Sequence, residues 1–157
     1  MNGEPQLFED FRDMLAELAA AGAEHVVVGG HAVAAHGLVR ATLDIDIFVR
    51  PSEANAARVV EALRAWGAPL ANHGVSAADF SRPGCVYQLG LPPRRIDILT
   101  SIDGVSFDDA VRETVTVVSG SLEFPVIGRR ALIANKRASG RHKDLSDVEA
   151  LERSGEL

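Results

Sequence analysis

The sequence predicts an α+β domain, a mixed β-sheet with helices packed on it and a helical C-terminal end. Three observations carry that prediction. Short β-branched or alternating runs, such as Val26-Val27-Val28 and Ile96-Asp97-Ile98, read as strands. Ala- and Leu-rich stretches with apolar residues at helical spacing lie between them, without a regular βαβ rhythm. From residue 128 onward only helical patterning remains. A chain of 157 residues suits one domain, with a core over about 24–127 and a helical segment over about 128–157.

Each element has a local reason. Leu7, Phe11, Leu15 and Leu18 recur at helical spacing, so a helix is expected over 7–20, stopped by Gly22. Val26-Val27-Val28 ends at Gly29-Gly30 and reads as a buried strand. Residues 31–38 are Ala-rich and predict a short helix closed by Gly37. Residues 43–49 alternate and predict a strand. Ser52 is placed to cap an amphipathic helix over 54–66, which Gly67 and Pro69 end. Residues 70–81 read as irregular. Strands are expected over 85–89 and 95–100, joined through Gly90-Leu91-Pro92-Pro93. Asp103-Gly104 is a turn and 107–113 a short helix. Residues 115–118 and 122–126 flank Ser119-Gly120-Ser121, a hairpin signal. Helices over 129–138 and 145–151 follow, parted at Gly140. Trp66, the only tryptophan, is expected in the core, as is Cys85 as a small buried hydrophobe.

Composition excludes several classes. With 46% hydrophobic and 24% charged residues the chain is globular. One cysteine excludes a disulfide framework and a Cys-rich zinc site. The start, MNGEPQLFEDF, lacks the basic-then-apolar order of a signal peptide. The longest charge-free apolar stretch, 25–39, carries three histidines and is shorter than the roughly 20 residues of a membrane span. A cytoplasmic protein with no membrane partner is therefore expected. The net charge of −6 argues against a broad basic coat for nucleic acid.

The segment Leu43-Asp44-Ile45-Asp46-Ile47 is the most informative. Side chains alternate along a strand, so Asp44 and Asp46 share one face and the isoleucines the other. Two adjacent carboxylates are costly without a cation or solvent between them. Arg95-Ile96-Asp97-Ile98-Leu99 repeats the pattern. If the two strands are neighbours, three carboxylates converge, a hard-oxygen set suited to Mg²⁺. Val26 to Ala32 reads strand, Gly29-Gly30 turn, then helix, an arrangement that admits a phosphate, although no Gly-Lys-Ser/Thr of a Walker loop follows.

Together these parts resemble the DNA polymerase β-like nucleotidyltransferase superfamily. Gly29-Gly30 is followed by thirteen residues, then Asp44-Ile45-Asp46-Ile47, with Asp97 where a third carboxylate belongs. The closer likeness is to small prokaryotic nucleotidyltransferases of the abortive-infection toxin (AbiEii-like) kind. It rests on Gly29-Gly30-His31-Ala32, on Arg40-Ala41-Thr42-Leu43-Asp44-Ile45-Asp46, and on Lys136 followed by Arg141-His142-Lys143-Asp144-Leu145-Ser146-Asp147.

The resemblance implies a polymerase β-like fold and transfer of an NMP unit from an NTP, ATP among them, to a hydroxyl of RNA (such as tRNA), a protein or a small molecule. It implies Asp44, Asp46 and Asp97 as catalytic residues and ligands of Mg²⁺, or Mn²⁺ in its place. It also implies nucleotide contacts from Gly29, Gly30, His31, Arg40, Lys136, Lys143 and Asp144. A toxin–antitoxin partner belongs to the same implication. The alternative is a toxin–antitoxin component or nucleotide-binding module with this fold and little or no turnover. Simpler roles stand beside these. Lys136 fits a solvated helix face, Asp144 a helix cap, and Arg40 a partner of Asp44 or of a phosphate. His36 fits packing or solvent.

Charge is unevenly spread. Residues 129–143 hold Arg129, Arg130, Lys136, Arg137, Arg141 and Lys143 with no acid, six of the chain's 16 basic residues. Glu4, Glu9, Asp10, Asp13, Glu17 and Glu24 crowd the first helix and its flanks. A phosphate-bearing substrate is compatible with the acidic total.

Overall fold

A six-stranded mixed sheet organises the computed structural model, which describes residues 7–90 and 93–154. Its strands are β1 (His25–Val28), β2 (Asp44–Val49), β3 (Val86–Leu89), β4 (Arg95–Leu99), β5 (Val115–Ser119) and β6 (Leu122–Val126), ordered β3-β4-β2-β1-β6-β5. The helices are α1 (Glu9–Ala20), α2 (Gly29–Ala35), α3 (Glu53–Trp66), α4 (Leu70–His73), α5 (Ala77–Phe80), α6 (Phe107–Ala110), α7 (Arg129–Ser139) and α8 (His142–Ser154). β2 runs parallel to β4 and antiparallel to β1, while β6 runs parallel to β1. The outer strands β3 and β5 pair antiparallel with β4 and β6.

Alternation along the central strands divides the sheet into two unlike faces. Ile45, Ile47 and Val49 of β2 and Ile96 and Ile98 of β4 turn to one side and are all buried. Tyr87, in register with Ile98, meets Phe80 of α5 and His73 of α4, so the α1–α3–α5 layer covers this side. Phe11, Met14, Leu15 and Leu18 of α1 are completely buried, each burial favourable by about 1.5–3 kcal/mol. α3 starts at Ser52, whose hydroxyl accepts from the Asn55 amide at 3.2 Å. The buried Asn55 side chain bonds the Glu24 amide and the Glu24 and Arg50 carbonyls, tying α3 to the ends of β1 and β2.

The other face carries Asp44, Asp46 and Phe48 of β2 and Arg95, Asp97 and Leu99 of β4. Phe107 of α6 meets Phe48 edge to face at 5.2 Å. α7 and α8 pack together on this side, so Asp44 and Asp46 line a cleft beside them, with Asp97 buried next to Asp46. The α+β architecture is as the sequence predicts.

Several local expectations change. Residues 70–81 are not irregular, because Leu70 and Phe80 are buried and need α4 and α5 to seat them. A Ser76/Asp79 capping box starts the second. α2 begins at Gly29, two residues early, and α8 at His142, directly after the Gly140 stop. Trp66 is half-buried rather than core, since its indole N–H donates to the Asp10 carbonyl at 3.2 Å near the surface. Cys85 is likewise half-buried. The Leu91-Pro92 part of the β3–β4 turn and Glu4 lie outside the described residues. Among the described residues no helix is long and apolar enough to cross a membrane.

Candidate active site

The parallel pairing of β2 with β4 sets Asp46 directly opposite Asp97 and Asp44 opposite Arg95. The two strands that carry the acidic pattern are thus neighbours. Asp97 is buried, and among the described residues its Oδ1 has no hydrogen-bond partner. Burial, the facing Asp97 carboxyl and the nearby Asp44 push the Asp46 carboxyl up to about 7, against a smaller opposing pull from Arg95. Asp97 is raised as well, by burial first, with Arg95 opposing. Two facing carboxyls of this kind hold a proton near neutrality unless a cation replaces it.

Asp44 stands slightly apart. Its Oδ2 lies 3.4 Å from a terminal guanidinium nitrogen of Arg95, which also lies 3.8 Å from Asp97 Oδ2. Among the described residues, no three His, Cys, Asp or Glu side chains are already gathered around one point. The donor set nevertheless fits a hard divalent cation. It offers oxygen only and includes a buried oxygen without a partner, and a cation would relieve the crowding that raises the Asp46 and Asp97 carboxyls. Asp46 and Asp97 form its centre and Asp44 its third member.

The glycine turn meets this pair closely. Gly29 adopts φ +70°, and a Cβ placed there would lie 2.2 Å from Asp46 Oδ2. A Cβ on Gly30 would lie 2.5 Å from Thr42 Cγ2. A side chain at either position would therefore displace Asp46 or Thr42. His31 does not reach the cleft as expected. Its Nε2 is hydrogen-bonded with Thr42 Oγ1 at 3.0 Å, its ring stands edge-on to Phe11, and burial lowers its pKa. His36 is half-buried and bonds the Ile127 carbonyl through Nε2 at 2.8 Å.

Opposite the aspartates lies a network of ions, only part of which is visible in the sequence. Lys136 of α7 is buried, not solvated, with its Nζ 3.1 Å from Asp144 Oδ1 and 3.0 Å from Asp147 Oδ2. Arg141 Nε donates to Asp144 Oδ2 at 2.8 Å, and the Ser139 hydroxyl donates to the same oxygen. Burial alone would raise the Asp144 carboxyl, but hydrogen bonds from Ser139, Arg141 and Lys136 outweigh it and hold it at about 2. Asp144 is therefore no helix cap. It lies inside the first turn of α8 and joins that helix to α7.

Arg40 pairs with Asp147, not with Asp44, because the segment before β2 leads it toward α8. Asp147 was legible as the residue one helical turn beyond Asp144, yet only the fold reveals its two partners. Arg95 left no comparable trace, since its partner is set by strand register.

A cleft of about 350 Å³ gathers these parts. Gly29, Gly30, Asp44 and Asp46 line one side; Lys136, Arg141, Lys143 and Asp144 line another, with Arg40 to Leu43 between. Of the six clustered basic residues, only Lys136, Arg141 and Lys143 reach it. Arg129 is tied to the Leu151 carbonyl and Arg137 to Glu152. An acidic floor facing a cationic rim suits an anionic substrate that brings or shares a divalent cation.

A family model described as nucleotidyl transferase of unknown function (DUF2204) matches residues 7–156. A search of curated proteins finds no match to the chain.

Proposed function

The chain belongs to this family of nucleotidyl transferases, and from that premise we propose that it moves an NMP unit from an NTP to an acceptor hydroxyl and releases pyrophosphate. The single observation that supports the reading most is the Asp46–Asp97 pair, in register on neighbouring strands beside the glycine turn. Asp46, Asp97 and Asp44 would hold Mg²⁺, or Mn²⁺ in its place. Bound there, the cation supplies Lewis-acid activation of the α-phosphate and offsets charge on the leaving pyrophosphate.

The chain's own residues do the rest. Gly29 and Gly30, where a side chain would displace Asp46 or Thr42, let the backbone approach the phosphates. Arg141 and Lys143, both exposed at the rim, meet their negative charge. Lys136 and Asp144 fix the helices that carry them. The acceptor oxygen attacks the α-phosphorus, the α–β bridging P–O bond breaks, and the hydroxyl proton passes to the Asp97 carboxylate. Positioning and charge complementarity are the main sources of rate in such a transfer.

Three kinds of acceptor carry the required hydroxyl: RNA, a protein side chain (including one on a toxin–antitoxin partner) and a small molecule. The test presents them together. Purified protein is incubated with each labelled NTP in turn, Mg²⁺, and cellular RNA and protein, and is read by gel and intact mass. Label transfer with pyrophosphate release is expected from the wild type and none from Asp44→Ala with Asp46→Ala. Transfer that survives the double change would overturn the assignment.

A further inference from the structure

Arg95 has no part in the reaction as described, yet it lies among the carboxylates. It precedes Asp97 by two residues on β4 and stands in register with Asp44, so its side chain leaves the same sheet face as all three aspartates. Its terminal nitrogen lies 3.4 Å from Asp44 Oδ2 and 3.8 Å from Asp97 Oδ2. Both separations exceed those of a close charge-assisted bond, about 2.7–2.9 Å. The guanidinium therefore straddles two carboxylates without forking onto either. Among the described residues its Nε is buried and has no hydrogen-bond partner, so no backbone carbonyl locks it in place. The side chain is still 42% exposed, which leaves it a way out.

We propose that Arg95 is a built-in counter-cation of the carboxylate site, which a divalent cation must displace in order to bind. This rests on the reading that Asp44, Asp46 and Asp97 hold such a cation. A metal ligated by Asp44 and Asp97 needs the oxygens that Arg95 now faces, and two cations do not share them without mutual repulsion. Displacement costs the nucleotide-free protein metal affinity. A triphosphate lowers that cost, because its oxygens give the freed guanidinium another anionic partner. Metal and nucleotide then favour each other's binding, and the coupling is reciprocal. Arg95 thus keeps the site discharged until substrate arrives, a positioning role exerted through the carboxylates.

The experiment measures Mn²⁺ binding by electron paramagnetic resonance to nucleotide-free wild type, Arg95→Gln and Arg95→Lys, together with thermal unfolding in EDTA and at saturating Mn²⁺. Arg95→Gln is expected to tighten Mn²⁺ binding by about tenfold or more, the scale on which one opposite charge at this range biases a carboxylate. Arg95→Lys, which keeps the charge, stays near wild type. Arg95→Gln also unfolds earlier than wild type in EDTA, and Mn²⁺ closes that gap. A merely structural arginine predicts a gap that Mn²⁺ does not close, and that result overturns the proposal. So does equal or weaker Mn²⁺ binding by Arg95→Gln when the wild type binds. Absence of Mn²⁺ binding by all three proteins overturns the metal reading and this proposal with it.

Discussion

At Gly29 the backbone and a carboxylate compete for the same space. The glycine's positive φ and the approach of Asp46 Oδ2 to its missing Cβ mean that any side chain there is strained and displaces Asp46. Gly29→Ala is expected to cost about 1–2 kcal/mol for the left-handed backbone. It also pushes the Asp46 carboxylate off its place opposite Asp97. Misplacement by an ångström at a reacting centre costs roughly a hundredfold in rate, so transfer falls far more than stability. Urea denaturation beside steady-state kinetics separates the two losses. The sequence already pointed to Gly29, Asp46 and Asp97, because a strand ending in glycines and two Asp-bearing alternations are local patterns. It did not show that Gly29 is shaped to Asp46, which depends on β1 and β2 being paired at Val28 and Asp46.

Two lysines near the α7–α8 junction divide into different roles once the helices are packed. Lys136 is enclosed by Asp144 and Asp147 and joins α7 to α8, while Lys143 stands exposed on the cleft rim. Lys136→Ala removes the cation shared by two buried carboxylates, leaving each with one arginine, and is expected to destabilise the fold by about 3 kcal/mol, read by urea denaturation. Lys143→Ala leaves unfolding unchanged and weakens NTP binding about tenfold, the worth of one charge-assisted contact, read by calorimetry.

Asp144 adds a pH signature to this pair of helices. Its folded pKa of about 2 lies below the ordinary carboxylate value of 3.8. Its stabilising effect is therefore complete above 3.8 and is lost as pH falls through about 2, where the native state no longer binds fewer protons than the unfolded chain. Acid titration of the unfolding free energy is expected to fall in that window, and Asp144→Asn flattens it. The Lys136…Asp144 spacing was visible in the sequence, but burial was not. A lysine on a polar helix looks solvated until a second helix covers it.

Across the whole molecule, the legible and the hidden follow one physical divide. Patterns with a local cause, such as the period-two alternation in β2 and β4 or the Ser52 cap of α3, appear in the sequence and fix the α+β class. Features set by long-range pairing do not. Neither the strand order β3-β4-β2-β1-β6-β5, the Arg40–Asp147 bridge nor the placement of Arg95 among the aspartates follows from local pattern. The basic C-terminal segment shows the same divide, for the fold turns only part of it toward the cleft and uses Arg129 and Arg137 to hold α8.

The facing Asp46 and Asp97 are proposed to carry nucleotidyl transfer beside this cleft. Pyrophosphate release, measured with each NTP in Mg²⁺ and mixed cellular acceptors for wild type and Asp46→Asn, tests this role most directly. Release by the wild type with at least one NTP is expected, with only background release by Asp46→Asn and the variant's unfolding transition intact. Equal release by both proteins, or none by the wild type with any NTP, would contradict it.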